Sequence, residues 1–245
     1  MKNLLITCGM VLSLNAAVQA QAPITEYPVY RSASPLRFDG KLTEMLWRKA
    51  PVAVMVGTNG ETLPQKTTVQ VLWDDSYLYV GISGEDADAW TTFTEDDTNL
   101  WENEVFESFI DPEGLGHTYY EINVSPGGNL VDLFVTNAGE RQNGQFVSMR
   151  EWDCEGIQYR VFVDGDPAPN TEDKGWSAEL MIPFSRLWTM AGEHPNPGDT
   201  WRANFYRFDR NPANPKEATQ SCFSSTDGRG FHTPWRFGKL TFHGR

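Results

Sequence analysis

Between positions 101 and 112 the chain reads Trp-Glu-Asn-Glu-Val-Phe-Glu-Ser-Phe-Ile-Asp-Pro. An aromatic opens this stretch, three carboxylates follow within six residues, and an Asp-Pro pair closes it. In an extended chain alternate side chains share a face. Phe106, Ser108 and Ile110 then point one way, and Val105, Glu107, Phe109 and Asp111 the other. One face can build a core. The other sets a carboxylate beside an aromatic, a pairing that holds a sugar ring or another small polar ligand. A half-buried strand carrying a solvated Glu is the structural alternative. The same carboxylates admit a second chemistry, glycoside hydrolysis by Glu102, Glu104 and Glu107. Retaining hydrolysis needs two carboxyl groups about 5–5.5 Å apart. Glu102 and Glu104 share a face of a regular strand but Glu107 does not, so a bulge would have to unite the three.

The elements that must position these residues are strands. Thr67 to Trp73 and Tyr77 to Ser83 flank Asp74-Asp75-Ser76 and predict a hairpin. The acidic, polar run 85–100 is a loop that delivers Trp101 to the surface. Tyr119 to Val124 alternates, with Tyr120, Ile122 and Val124 on one face and Tyr119, Glu121 and Asn123 on the other. Pro126-Gly127-Gly128-Asn129 turns the chain into a strand over 130–135. Further strand-like runs lie at 146–150, 157–163, 176–182, 201–208, 219–223 and 236–242. Helical signal is confined to short pieces near 43–48, where Thr43 can cap a turn that buries Leu42, Leu46 and Trp47, and near 184–190. Residues 21–35, with Pro23, Pro28 and Pro35, read as an extended entry segment. Many short strands with Gly, Pro and Asn turns predict an all-β fold, an antiparallel two-sheet β-sandwich of jelly-roll or immunoglobulin-like type with one or two short helices. Trp73, Trp176 and Trp201 alternate with strand positions and belong to its core.

The bulk composition narrows the partners. Residues 1–20 combine a charged start, an apolar run from Leu4 to Leu14 and a Val18-Gln19-Ala20 cleavage signal, the pattern of a secretory signal peptide. The protein is therefore expected to be exported, to a periplasm or the cell exterior, with residues 21–245 as one domain. No later run is apolar enough to span a bilayer. The formal net charge of −13 disfavours nucleic acid and anionic membrane surfaces. Nine Trp and eight Tyr supply both core and flat stacking platforms. Two cysteines remain after cleavage, Cys154 and Cys222, and in an exported chain the even count predicts a disulfide, with two buried free thiols as the alternative. It would stabilise by roughly 4 kcal/mol. Haem would need axial Met or His ligands; His117, His194, His232 and Met149 sit in no recognisable setting, and lone His residues in turns are read as solvated. Arg207, Asp209 and Arg210 at a strand end are read as a structural ion-pair cluster.

The order of motifs resembles a known family. Phe38-Asp39-Gly40-Lys41-Leu42-Thr43-Glu44-Met45-Leu46-Trp47 resembles its opening Asp-Gly signature, and Val71 to Val80 its hairpin. Trp101 to Asp111 resembles its aromatic-carboxylate strand. Trp201 to Phe205 and Pro234 to Leu240 resemble its closing strands. Together these are similar to carbohydrate-binding module family 9, in its stand-alone form behind a signal peptide. The resemblance implies non-catalytic binding of a mono- or oligosaccharide between two aromatics, in support of polysaccharide use and in association with glycan-degrading enzymes. Trp101 matches the first aromatic and Glu107 the carboxylate that takes sugar hydroxyls. Glu121 stands where the family has an amide, Asn123 where it has an arginine, and Phe231 where it has the second platform, a Trp. Those replacements leave room for a structural or interaction sandwich whose sugar site has decayed.

The resemblance also implies calcium in the loop after the Glu strand. Here Asp111 to His117 offers only Asp111 and Glu113 as charged oxygens, against the six to eight ligands calcium takes. Asp86 and Asp88 after the hairpin form a second set of candidate oxygens, read as solvated loop acids. No cofactor is expected. A site of this kind, small, open and partly hydrated, predicts micromolar or weaker affinity.

Overall fold

The computed structural model describes residues 21–33, 37–136, 146–188 and 194–244. The leader inferred for residues 1–20 lies outside them. The strands are β1 (Glu26–Arg31), β2 (Ala53–Val54), β3 (Val56–Gly57), β4 (Thr67–Trp73), β5 (Tyr77–Glu85), β6 (Val105–Asp111) and β7 (Thr118–Val124). They continue as β8 (Leu130–Thr136), β9 (Val147–Met149), β10 (Gln158–Val163), β11 (Gly175–Pro183), β12 (Thr200–Arg210), β13 (Ala218–Cys222) and β14 (Gly238–His243). Helix is limited to single 3₁₀ turns at Met45–Lys49, Leu100–Glu102, Phe184–Arg186 and Pro234–Arg236. The Met45–Lys49 turn has no side-chain cap, so Thr43 does not play the part expected of it.

The fold is all-β, and its sheet is mixed. Its order is β10-β11-β5-β4-β1-β14-β12-β6-β7-β8-β9, with β2, β3 and β13 attached at the side. The expectation of a purely antiparallel arrangement is corrected at β1. This segment, read only as an extended entry, runs parallel to both β14 and β4. It thereby joins the half built from β10, β11, β5 and β4 to the half that carries β12, β6, β7 and β8. Pro28 is tolerated because it lies where β1 pairs with β14 alone, on a stretch that need not donate on both sides.

The sheet curls until its halves meet. Phe106 on β6 stacks on Trp176 of β11, with ring centroids 3.6 Å apart and planes 14° from parallel. Yet β5, β4, β1, β14 and β12 all lie between those strands in the sheet order. The enclosed core contains Trp73, Trp176 and Trp201, as expected, with Val71, Ile82, Ile110, Ile122 and Phe205.

A second apolar cluster forms on the opposite face of β6, β7, β8 and β12. It contains Val105, Phe109, Tyr119, Val131, Leu133, Val135 and Tyr206. The two-residue period assigns the faces: Glu107 pairs with Asn123 and Tyr206, and Phe109 with Glu121 and Asn204, so all six share the outer side. This outer cluster is the floor on which the candidate site stands.

The predicted disulfide is not formed. Cys154 and Cys222 are both buried free thiols. Cys154 belongs to the inner core and Cys222 to the outer cluster, where its Sγ is 3.5 Å from the carbonyl oxygens of Val56 and Gly57. The sheet itself keeps them apart. Burial pushes both thiols up to about 12, which keeps them protonated and poorly reactive. Reductant is accordingly expected to leave the thermal midpoint unchanged; a drop of several degrees in dithiothreitol would mean that a bridge exists.

Candidate functional site

Trp101, Glu107, Glu121 and Phe231 line one cavity of about 300 Å³. Leu133, Phe146, Ser148, Phe208, Gln220, Gly230 and His232 complete its wall. Four of the five residues singled out from sequence are thus brought together. The fifth, Asn123, stands behind Glu121 and donates its amide to Glu121 Oε1 at 2.8 Å.

Each wall has a local cause. Leu100 is fully buried and anchors the 3₁₀ turn that carries Trp101. Arg210 Nε donates to the Trp101 carbonyl at 2.9 Å. Arg150 lies 5.2 Å from the indole centroid, held there by bonds to the Asp97 carbonyl and Asn99 Oδ1 at 2.7 and 2.6 Å. The indole remains half-buried, with one arginine over its ring and one on its backbone. Glu107 and Glu121 follow from the strand period: both project outward from β6 and β7, one register step apart, as diagonal neighbours.

Phe231 has a different character from the one implied for it. Only 6 % of it is exposed. Its ring stacks on Tyr206 at 3.9 Å, and the Tyr206 hydroxyl donates to the Phe231 carbonyl at 2.9 Å. It borders the cavity more as a fixed wall than as an open platform. The more accessible rings are Phe208, half-buried and tilted against Phe231 at 4.8 Å, and Phe146, 40 % exposed. Phe146 stacks on His232 at 3.6 Å. His232 is not the solvated turn residue expected: its Nδ1 lies 2.6 Å from the Tyr119 hydroxyl, and burial lowers its pKa to about 4. It is neutral at physiological pH. Neither Phe146 nor His232 was legible as a site residue, because they come from elements 86 residues apart (146 to 232) that meet only when the sheet folds.

The electrostatics are dominated by two buried acids. Glu107 is 2 % exposed and Glu121 3 %. Burial first, and then the negative charge of Glu121, hold Glu107 well above the usual carboxylate range, with Arg210 opposing. Burial pushes Glu121 up to about 7, against the Asn123 hydrogen bond and the more distant Arg150. Two neighbouring carboxyls in one apolar pocket cannot both ionise cheaply.

The carboxylates of the hydrolase reading do not converge. Glu102 lies at the surface and accepts from Asn99 Nδ2 at 2.8 Å. Glu104 points to the inner side, where Arg207 Nη2 lies 3.9 Å from it. Glu107 alone faces the cavity. The three occupy three environments.

Two acidic groups have metal-like spacing among the described residues, Asp39–Glu44–Glu179 and Asp86–Glu104–Asp209. Glu179 already accepts from Trp47 Nε1 and from the N–H groups of Asp39 and Gly40. In the other group the Arg207 guanidinium is 2.6 Å from Asp86 and 3.5 Å from Asp209. Asp86 is therefore a buried ion-pair partner rather than a solvated loop acid, and Asp88 accepts the Asn170 N–H. Asp111 accepts from the N–H groups of Gly114 and Gly116 and closes its own turn. Arg207 and Asp209 do form the anticipated ion pair, whereas Arg210 leaves it to support Trp101.

Comparison with known proteins was made at the level of sequence and of fold. No curated protein matches the chain. Among solved structures, one from Bacteroides uniformis ATCC 8492, whose carbohydrate binding is a provisional assignment, superposes with a TM-score of 0.69 at 18 % identity, covering 90 % of this chain and all of that one. A family 9 carbohydrate-binding module from Caldicellulosiruptor kristjanssonii in complex with cellotriose gives a TM-score of 0.60 at 16 % identity, covering 89 % of this chain and 94 % of that one. The module from the same organism in complex with glucose gives 0.59 at 15 % identity, with 89 % and 96 % covered. At these identities the likeness is one of fold. At the level of sequence, residues 38–127, from the opening Asp-Gly turn through the hairpin, β6 and β7, match the carbohydrate family 9 binding domain-like model.

Proposed function

We propose that the protein binds a carbohydrate non-covalently in the cavity between β6, β7, the Trp101 turn and the loop carrying Phe231. The observation that carries this reading is the convergence of Trp101, Glu107 and Glu121 on one half-open space. Trp101, Phe208 and Phe146 supply apolar faces for the C–H side of a sugar ring. Glu107 and Glu121 supply hydrogen bonds for its hydroxyls, accepting them when ionised and also donating to them when protonated. The volume lies at the lower end of the roughly 300–1,000 Å³ usual for small-ligand sites, which favours one sugar unit or a chain end over a long internal stretch. The complexes of related folds with cellotriose and glucose lend the ligand class support. The apolar run in residues 1–20 supports export, and export beside enzymes that release oligosaccharides gives such a module its use. No helix among the described residues is long and apolar enough to cross a membrane.

Calorimetry against mono- and oligosaccharides tests the proposal, with Trp101→Ala beside the wild type. Affinity is expected to fall by about tenfold or more on losing the indole face. Absence of heat with every sugar would make this a structural or interaction domain, and binding indifferent to that substitution would place the sugar away from the Trp101 cavity.

A further inference from the structure

Resting on the sugar-binding reading, we propose that the cavity selects a sugar bearing a free ammonium group, an amino sugar whose nitrogen sits between Glu107 and Glu121. The argument begins with an imbalance. Both carboxyl groups are buried, and among the described residues neither forms an ion pair. The guanidinium groups that act on them electrostatically, Arg210 on Glu107 and Arg150 on Glu121, make no ion pair with either carboxyl and lie over the Phe208 and Trp101 rings instead. Arg150 donates to the Asp97 carbonyl and Asn99 Oδ1, and Arg210 to the carbonyls of Trp101 and Pro215. Buried acids without a paired cation are costly, because a buried charge is tolerated when it is paired or neutralised.

The hydrogen-bonding inventory points the same way. Glu121 Oε2 and Asn123 Oδ1 are buried and have no partner. Asn123 has already given an amide hydrogen to Glu121 Oε1. At the cavity this leaves Glu121 Oε2 as an unmet acceptor, with Asn123 Oδ1 behind it. A neutral sugar hydroxyl brings one donor; an ammonium brings three and a full positive charge. Aromatic faces at the walls favour the same ligand, since a cation within about 6 Å of a Trp, Tyr or Phe ring is attracted to it. Trp101 and Phe208 already carry Arg150 and Arg210 over their rings, at 5.2 and 4.8 Å, so Phe146 is the wall left for such a contact. The ring of the sugar would then use the aromatic walls while its nitrogen meets the acids.

The test is a matched series with one ring and three substituents: glucosamine, N-acetylglucosamine and glucose. Titrations are run at about pH 6.5, where an amine of the α-amino type stays protonated. Glucosamine is expected to bind about tenfold tighter than either neutral sugar, the margin a desolvated charge pair and cation–π contact give over a neutral hydrogen bond. Repeating the titration in buffers of different ionisation enthalpy is expected to reveal protons leaving the protein with glucosamine and not with glucose, because a bound cation favours the ionised acids. Glu107→Gln and Glu121→Gln, which keep side-chain volume, are each expected to cut the preference sharply. Their thermal melts verify that they fold. Equal affinity for the three sugars, or a preference for a neutral one, overturns the ammonium inference and leaves the sugar-binding reading standing. Binding of tetramethylammonium with no sugar bound overturns the amino-sugar assignment and the sugar-binding reading together, as does binding of nothing in the panel.

Discussion

Replacing Arg207 by methionine is expected to destabilise the fold by about 3–5 kcal/mol, the usual cost of removing one partner of a buried ion pair. Arg207 is 1 % exposed and stands on the inner side of β12. Its Nη2 lies 2.6 Å from Asp86, 3.5 Å from Asp209 and 3.9 Å from Glu104, while its Nη1 donates to the Glu85 carbonyl at 2.8 Å and to Thr67 Oγ1 at 3.2 Å. One guanidinium therefore ties β12 to the β4–β5 hairpin across the interior. Gly84 makes the approach possible, because a Cβ there would come within 2.6 Å of Nη1. The charges do not balance without it. Burial, reinforced by Asp86, pushes Glu104 up to about 11, so Glu104 stays protonated at neutral pH. Asp86 and Asp209 then face the single guanidinium. Methionine fills much of the volume but strands those two acids in a dry interior. Urea unfolding should show the midpoint fall with the slope unchanged. A companion variant, Arg207→Met with Asp86→Asn, should recover part of the loss. A cost below about 1 kcal/mol would mean that the acids simply take up protons and that the guanidinium is dispensable.

The parts of this molecule that local sequence dictates were legible, and the parts made by long-range folding were not. The period of two in Trp101 to Asp111 separates Phe106 from Glu107, and the structure puts one in the core and the other in the cavity. The same period orients Glu121 and Tyr120 correctly on β7. Asp74-Asp75-Ser76 makes its hairpin because Asp74 Oδ1 accepts from the N–H groups of Ser76 and Tyr77. No such local rule covers β1. Its parallel pairing with β14 joins residues 26 and 239, a contact that no turn residue announces. The cysteines mislead for a related reason, since a count of two carries no information about opposite sides of a sheet. The cavity wall divides in the same way. Trp101 and the two acids came from one hairpin's worth of sequence, while Phe146, Phe208 and His232 arrive from three separate elements. Phe231 was found by resemblance alone, and its role shifted from platform to wall because Tyr206 stacks on its ring.

The acids of the cavity should also leave a signature in the empty protein, on the pH dependence of folding. Glu121 titrates near 4.5 when the chain is unfolded and is raised to about 7 in the fold, chiefly by burial. A carboxyl raised in this way favours the folded state in its protonated form. Its contribution is fully present below about pH 4.5 and is lost as pH rises through about 7. Glu107 shifts in the same direction, by burial and by the charge of Glu121, so it steepens the loss. Arg150 and Arg210 oppose these shifts. His232, lowered by burial from 6.5 to about 4, slopes the other way, its cost of folding fading as pH rises through that range, but it is common to the wild type and the variant below and cancels in their difference. Each acid can add at most about 1.4 kcal/mol of lost stability per pH unit, so the pair can remove a few kcal/mol between pH 4.5 and 7. Other raised acids, Glu104 and Glu179 among them, slope the same way. The informative quantity is therefore the difference between the wild type and the double variant Glu107→Gln, Glu121→Gln. That difference is expected to widen steadily with pH, with the variant the more stable at pH 7, when both are followed by urea unfolding. Parallel curves would mean that the two acids are hydrated and ionised at no cost, and the cavity would then have no stored charge for a cationic ligand to relieve. A widening gap that closes when glucosamine is added, and not when glucose is, would tie the instability of the empty site directly to what fills it.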